Sequence, residues 1–190
     1  MLSKEDYDIV LATSTGALPA WMARKYPEVE RVDYEGRRHK FGQRHNACPN
    51  SEVFRKYSVA LAAKLAERYT SNPHVKCWHV SNEYGGTCYC ENCEKAFRIW
   101  LRKKYGTLDA VNKAWNTEFW GHTFYDWEEI VAPNSLSEGL WDERSAFAGL
   151  SIDYKRFNSD SMLQNYMDER DAIRKYDKEA VITTNLMGTY

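Results

Sequence analysis

Residues 77–93, CWHVSNEYGGTCYCENC, constrain the fold of this chain more than any other stretch. The largely apolar run from Val75 to Val80 ends in Asn82 and Glu83, and a glycine pair follows. A short apolar run bounded by turn residues predicts a strand buried in a sheet. Three cysteines with the spacing Cys-X-Cys-X-X-Cys come directly afterwards. The stretch therefore predicts a carboxylate at the end of a buried strand, next to a cluster of thiols.

The rest of the chain alternates between predicted strands and predicted helices. Two further β-branched runs, 8–13 and 180–185, predict strands. Amphipathic or capped helices are predicted over 51–69 and 91–105, after Thr107, and over 153–176. The connections are long enough for right-handed crossovers, so we expect three parallel neighbouring strands. The pattern predicts an α/β fold with its informative loops at the carboxyl ends of the strands, as in a (β/α)8 TIM barrel.

Three strands do not close such a barrel. A complete one needs eight strands and roughly 250 residues, whereas this chain has 190 residues. It opens almost directly on one predicted strand and stops shortly after another. We therefore expect residues 1–190 to form a partial TIM-barrel domain, an internal segment of a larger fold.

Composition argues against several classes of function. The chain has 26 Lys and Arg against 27 Asp and Glu, which gives no electrostatic footprint for nucleic acid or an anionic membrane. No apolar stretch approaches the roughly 18 residues of a membrane span, and the N-terminus lacks a secretory signal. We expect a cytoplasmic protein. The 7 Trp and 13 Tyr either fill the core or line a cleft that stacks sugar rings.

Four of the five cysteines are candidate metal ligands. Cys88, Cys90 and Cys93 supply three thiolates within six residues, and Cys48 is the natural fourth. Zinc prefers four such ligands, and a site filled by four thiolates is structural because no position remains open for chemistry. The alternatives are free thiols or a Cys88–Cys93 disulfide. Cys77, inside the predicted strand, is expected to pack as a small hydrophobe.

Glu83 is the candidate catalytic residue, because a carboxyl at a strand end is well placed to act as a general acid towards a glycosidic oxygen. Asn82 beside it is suited to hydrogen-bond a sugar hydroxyl. Arg44, in the polar loop 28–47, has a planar fork that suits hydroxyls or a carboxylate. The plainer alternatives are a structural pair between Glu83 and an arginine, and a solvated Arg44.

Several segments of the chain resemble glycoside hydrolase family 42, the β-galactosidases. The resemblance covers essentially the whole chain in order and is carried by ATSTGALPAWMARKYPE, GQRHNACPN, WHVSNEYG, CYCENC, AWNTEFWGHTFYDWEEI, DYKRFNSD and ITTNLMG. It implies a (β/α)8 catalytic barrel and retaining hydrolysis of terminal β-D-galactosides. By position it makes Glu83 the acid/base at the end of the fourth strand, with Asn82 and Arg44 as galactose contacts.

The resemblance also implies a structural zinc ion on Cys48, Cys88, Cys90 and Cys93, and a homo-oligomer, since the family is often trimeric. In the family the nucleophilic carboxylate lies on the seventh strand, which would fall beyond Tyr190, and the first strand has no counterpart here. We therefore expect the isolated chain to carry half of the catalytic pair and to be inactive. The alternatives are a zinc-bearing carbohydrate-binding module and a truncated fragment with no role of its own.

Overall fold

The computed structural model describes residues 5–137, 139–140 and 143–186. In chain order its elements are β1 (Ile9–Ala12), α1 (Ala20–Lys25), α2 (Glu52–Tyr69), β2 (Val75–His79), α3 (Glu91–Tyr105), α4 (Leu108–Trp115), β3 (Gly139–Leu140), β4 (Arg144–Ser145), α5 (Ala148–Arg174) and β5 (Ile182–Thr183). Single 3-10 turns occur at Pro27–Val29 and Trp127–Glu129.

Strands β1, β2 and β5 form one parallel sheet in the order β1-β2-β5. Residue Leu11 of β1 is paired with Trp78 of β2, which in turn is paired with Ile182 of β5. The prediction of an α/β fold with three parallel neighbouring strands is confirmed. Strands β3 and β4 form a separate two-stranded antiparallel hairpin within the irregular region before α5.

Helix α2 begins where the sequence predicts, but it buries a different face. The four-residue spacing of Val53, Tyr57, Leu61 and Leu65 predicts that these side chains form the buried stripe. In the structure the fully buried positions are Ser58, Ala62 and Ala66, whereas Leu61 is exposed. Small side chains allow a close approach of α2 to its neighbours, since the distance between packed helices depends on the side chains at the contact. The larger residues flank this small-residue face.

Ser51 caps α2, and this contact gives a first testable prediction. The amide of Phe54 donates to Ser51 Oγ (3.2 Å), and the Ser51 side chain is buried. Ser51→Ala should lower the free energy of unfolding by about 1 kcal/mol, since it removes one cap. Urea titration followed by circular dichroism measures the change. The exposed Ser71 offers a matched control, and an equal effect of Ser71→Ala would show that the cap is not the cause.

The described interior contains two large clusters and a smaller one around α1. One large cluster lies between the sheet and the helices α2 and α5 and contains Trp78, Val80, Ala172 and Ile173. The other lies between α3, α4 and α5 and is rich in aromatic rings, such as Phe97 and Tyr154 with centroids 4.9 Å apart. Many aromatic residues therefore fill the core, one of the two fates that the sequence left open. Among the helices of the described residues, none has the combination of length and hydropathy that a membrane span requires.

Candidate active site and cysteine cluster

The loops that follow the three parallel strands are tied together at one end of the sheet. The amide of Ser81, after β2, donates to the hydroxyl of Thr13, after β1 (2.9 Å). The amide of Glu83 donates to Asn185 Oδ1, after β5 (3.1 Å). Because parallel strands all end at the same edge, these bonds join segments that are far apart in sequence. The loop that carries Asn82 and Glu83 is thus anchored on both sides.

Arg44 and Glu83 are in contact. Arg44 Nη1 forms an ion pair with Glu83 Oε2, and the side chains are 57% and 22% exposed respectively. Arg44 is held by its neighbours, because the amide of His45 donates to Gly16 O (3.1 Å) and Arg44 forms an isolated bridge with Ala17. Two residues singled out separately in the sequence therefore meet at the carboxyl end of β2.

Asn82 lies beside this pair, in a small cavity of about 50 Å³ that Gly16, His45 and Glu169 also line. Arg44 and Glu83 do not line this cavity themselves, although their chain neighbours do. The approach of the two loops is close, because a Cβ atom on Gly16 would lie 3.3 Å from Asn82 Cβ. The structure thus brings Arg44 and Glu83 into contact and places Asn82 in the adjoining hollow.

The backbone is strained at this end of the sheet. Eight described non-glycine residues have a positive φ, and four of these lie in the site loops: Ser14 (58°), His45 (65°), Ser81 (54°) and Glu83 (47°). Left-handed conformations cost of order 1 kcal/mol or more for such residues, and they tend to persist where function requires them. This concentration makes the region a candidate functional site independently of residue type.

Two titratable residues of the region were given no role in the sequence analysis. Burial, with the positive charge of Arg44 adding to it, lowers the pKa of His45 below its usual value and so favours the neutral imidazole. Glu169 on α5 is 2% exposed, and burial raises the pKa of its carboxyl. Helical spacing could have found Glu169, since it lies four residues before the apolar Ile173 and therefore on the buried face.

The four predicted metal ligands form one compact group. The Sγ atoms of Cys48, Cys88, Cys90 and Cys93 all lie within 4.8 Å of one another, and all four residues are buried. Sγ of Cys48 is 3.4 Å from that of Cys90 and 3.5 Å from that of Cys93. Tetrahedral Zn–S bonds of about 2.3 Å separate sulfur atoms by about 3.8 Å, so the spacing fits. The cysteines are free thiols, so no Cys88–Cys93 disulfide is present.

Local structure favours a thiolate at Cys90 but not at every cysteine of the cluster. Cys90 is the N-cap of α3 and Cys93 lies in its first turn, where the helix dipole stabilises negative charge. Hydrogen bonds from the neighbouring thiols lower the pKa of Cys90, whereas the same contacts and burial raise the pKa of Cys48. The contact with Cys48 lowers the pKa of Cys93, but the contacts with Cys88 and Cys90 and burial outweigh it and raise that pKa. Asn50 Nδ2 donates to Cys93 Sγ (3.4 Å), a polar contact from outside the four-sulfur group. Cys77 lies apart in β2 and is half-buried.

Parallel strands with their functional loops at the carboxyl ends place this chain among the α/β enzymes that use this face of the sheet for chemistry. A family profile described as beta-galactosidase, that of glycoside hydrolase family 42, matches residues 1–190. The chain belongs to glycoside hydrolase family 42, as the resemblance implied.

Individual relatives agree with the family assignment. The chain is 65% identical over 180 residues to beta-galactosidase BgaP of Planococcus sp. (strain L4), and 53% identical over 189 residues to beta-galactosidase LacZ of Lactobacillus acidophilus. These matches cover 95% and 98% of this chain, but 27% and 28% of the relatives. The crystal structure of a beta-galactosidase from Bacillus circulans sp. alkalophilus matches with a TM-score of 0.96 at 62% identity, over 100% of this chain and 28% of that one. The chain therefore spans little more than a quarter of the length of these relatives.

Proposed function

We propose that these 190 residues form the part of a β-galactosidase barrel that donates and accepts the proton, through Glu83, during retaining hydrolysis of terminal β-D-galactosides. The contact between Arg44 and Glu83 beside Asn82 carries this proposal. It puts an acid, a planar cation and an amide at the carboxyl end of parallel strands, where enzymes of this architecture bind their substrates. The family assignment supports the choice of reaction.

In this proposal Arg44 has two partners in turn. Without sugar its guanidinium pairs with Glu83. A galactoside that enters would offer hydroxyl groups to Arg44 and Asn82. Glu83, released from Arg44, would take up a proton from solvent and then donate it to the glycosidic oxygen as the bond breaks. The same carboxylate would later take a proton from the attacking water. A purely structural ion pair would show the same contact without sugar, so kinetics must separate the two.

The cysteine cluster is proposed to hold a structural Zn²⁺. Cys48, Cys88, Cys90 and Cys93 would be its four ligands, which leaves no open position for catalysis. Its place in the chain supports a positioning role: Cys88 is five residues after Glu83, and Tyr154 of α5 donates to the Cys88 carbonyl oxygen (2.7 Å). The ion would fix one end of the loop whose other end carries the acid. A cluster of reduced thiols also supports the proposed cytoplasmic location.

The remaining features of the assembly are proposals of the same kind. The parallel sheet supports a partial TIM barrel over residues 1–190, with the second carboxylate of the catalytic pair supplied by a strand outside this chain. A homo-oligomer is proposed from the family resemblance alone. The zinc-bearing binding module and the fragment without a role remain the competing hypotheses.

Activity measurements test the role of Glu83. The isolated 190-residue chain should not hydrolyse a chromogenic galactoside, because retaining hydrolysis needs two carboxylates. A chimera in which the chain replaces the matching segment of the 65% identical Planococcus enzyme should be active. In that chimera Glu83→Gln should reduce kcat/KM at least 10³-fold for lactose, whose leaving group needs a proton. For a dinitrophenyl galactoside, whose leaving group needs no proton, Glu83→Gln should slow the bond-breaking step much less.

Comparison of the two substrates distinguishes the hypotheses. If Glu83 only braces Arg44, Glu83→Gln will reduce activity by the same factor for both, and the acid/base role is wrong. Glu67→Gln, at an exposed glutamate of α2 paired with Lys64 on the surface, is the matched control and should leave both rates unchanged. Turnover of a galactoside by the isolated chain, if lost on Glu83→Gln, would overturn the proposed division of the catalytic pair.

A further inference from the structure

A chain of buried hydrogen bonds connects helix α5 to the loop after β1. The hydroxyl of Thr15 lies 2.8 Å and 2.9 Å from the two carboxylate oxygens of Glu169, and 3.1 Å from the hydroxyl of Thr13. Thr13 and Thr15 are buried, like Glu169. The proposed mechanism uses none of these three residues. A carboxyl buried this deeply needs a structural or functional reason, since burying a charge is costly unless it is well paired.

The donor and acceptor roles in this series of hydrogen bonds have one consistent direction when Glu169 is ionised. An ionised carboxylate only accepts hydrogen bonds, so the single proton of the Thr15 hydroxyl points at Glu169. Thr15 must then accept from Thr13, whose own oxygen accepts from the amide of Ser81 (2.9 Å). The direction runs from Ser81 through Thr13 and Thr15 to Glu169. Hydrogen bonds aligned in this way strengthen one another.

The loop after β1 contacts the candidate active site at two points. Ser81 immediately precedes Asn82, so the amide that donates the first of these hydrogen bonds belongs to the loop of the proposed acid. Gly16 follows Thr15, and its carbonyl accepts from the amide of His45, next to Arg44 (3.1 Å). One anchored loop therefore contacts both separate segments that carry the candidate site residues.

We propose that Glu169 is a positioning residue that, through the Thr15 hydroxyl, holds the loop after β1 against the segments of Arg44 and Asn82. Its charge is not needed for proton transfer and it need not touch the sugar. The raised pKa caused by burial reflects the cost of this placement. The role of Glu169 in positioning sugar-binding segments rests on the proposed function, whereas the hydrogen-bond network itself does not.

Amide hydrogen exchange of the full 190-residue chain tests this network. Glu169→Leu and Thr15→Val remove the acceptor and the linking hydroxyl, and both should speed exchange of the Ser81 and His45 amides at least tenfold. Glu169→Gln keeps an acceptor oxygen and Thr15→Ser keeps the hydroxyl, so both should stay within about threefold of the wild-type rates. Amides in α3, such as that of Phe97, should be unaffected by all four substitutions.

Asp153→Asn is the matched control, because Asp153 is also 2% exposed and also lies on α5, but bonds to other helices. It should lower overall stability without selective effect on the Ser81 and His45 amides. Unchanged exchange in both Glu169→Leu and Thr15→Val would overturn the proposal, and so would acceleration spread evenly over α3. If a Glu169 variant fails to fold, the comparison of exchange rates in Thr15→Val and Thr15→Ser tests the proposal.

A galactose titration of the same chain separates this inference from the proposed function. Galactose should shift the side-chain amide resonance of Asn82 in the wild-type chain, and Thr15→Val should weaken that binding about tenfold while Thr15→Ser does not. No shift in the wild-type chain would contradict the sugar contact of Asn82 and leave the exchange result to judge the network alone. Equal affinity in Thr15→Val and wild type would show that the network does not position the site.

Discussion

Cys90→Ser should lower the midpoint of thermal unfolding of the zinc-loaded chain by at least 10 °C. Structural zinc sites contribute apparent binding free energies of about 10–16 kcal/mol in small domains, and that energy is folding energy. Loss of even 4–5 kcal/mol shifts the midpoint by roughly 10–20 °C for a chain of this size. The four cysteines are buried together, and within the described part of the chain the group contains no fifth His, Cys, Asp or Glu that could replace Cys90.

Substitution by serine distinguishes the loss of a metal ligand from an effect on the start of helix α3. Cys90 is the N-cap of α3, and its side chain makes no capping bond. Serine is a favoured N-cap residue, so the substitution should help the start of the helix if it has any local effect. A large loss of stability would therefore report on the ligand set. Metal analysis should give close to one zinc per wild-type chain and a sharp reduction in the variant.

Cys77→Ser is the matched control, since Cys77 is a half-buried thiol outside the cluster. It should leave zinc content unchanged and alter the unfolding midpoint little. A chelator should reproduce the effect of Cys90→Ser on the wild-type chain and have no further effect on the variant. Wild-type protein that is pure, folded and free of metal, with a midpoint insensitive to the chelator, would contradict the zinc proposal.

The sequence predicted those parts of the site that depend on local pattern. The position of Glu83 follows from an apolar strand that ends in a polar pair, and the strand β2 is where the pattern puts it. The bounds of α3 follow from its helical pattern and from Gly106 at its end. The sequence also paired Cys48 with the distant cysteines, because zinc demands a fourth ligand and few candidates exist.

The sequence did not predict contacts that depend on which loops meet. No local pattern links Arg44 to Glu83, although the family resemblance put both in one sugar site. The two meet because the loops after β1 and β2 pack together. Glu169 was missed although its spacing from Ile173 places it on the buried face, because its helix segment is dense with charges and a solvated side chain is the usual outcome there. The buried face of α2 was wrongly predicted for a similar reason. The close approach of neighbouring elements favours burial of the small side chains Ser58, Ala62 and Ala66 rather than of the larger apolar side chains.

Asp153→Ala should lower the free energy of unfolding by about 3–5 kcal/mol, the range for breaking a buried charged contact by removing one partner. The Asp153 carboxylate is 2% exposed and accepts from Tyr105 (2.6 Å), Trp115 (3.0 Å) and Arg156 (3.2 Å), as well as from Lys104. These donors lie on α3, α4 and α5. Alanine would leave the buried indole N–H of Trp115 without this acceptor, and such loss is large against a typical total stability of 5–15 kcal/mol.

The effect of Asp153 should depend on pH in a defined direction. Burial alone would raise the pKa of this carboxyl, but the hydrogen bonds from Lys104, Tyr105 and Trp115 outweigh it and hold the pKa below its usual value. A depressed folded-state pKa gives stability that is present above the unfolded-state pKa of about 3.9. That stability is lost as the pH falls through the folded-state pKa. The stability difference between wild type and Asp153→Asn should therefore be largest near pH 7 and shrink below about pH 4.

Asp160→Ala is a closely matched control for Asp153→Ala. Asp160 also lies on α5 and also accepts from a tryptophan, Trp100 Nε1 (2.7 Å), but it is exposed to solvent. Its removal should cost less than about 1 kcal/mol, since water can replace an exposed acceptor. Urea titrations of the two variants at pH 7 and at pH 3.5 measure both effects. Equal losses at the two positions, or a loss at Asp153 that does not change with pH, would show that the buried carboxylate does not hold the three helices together by charge.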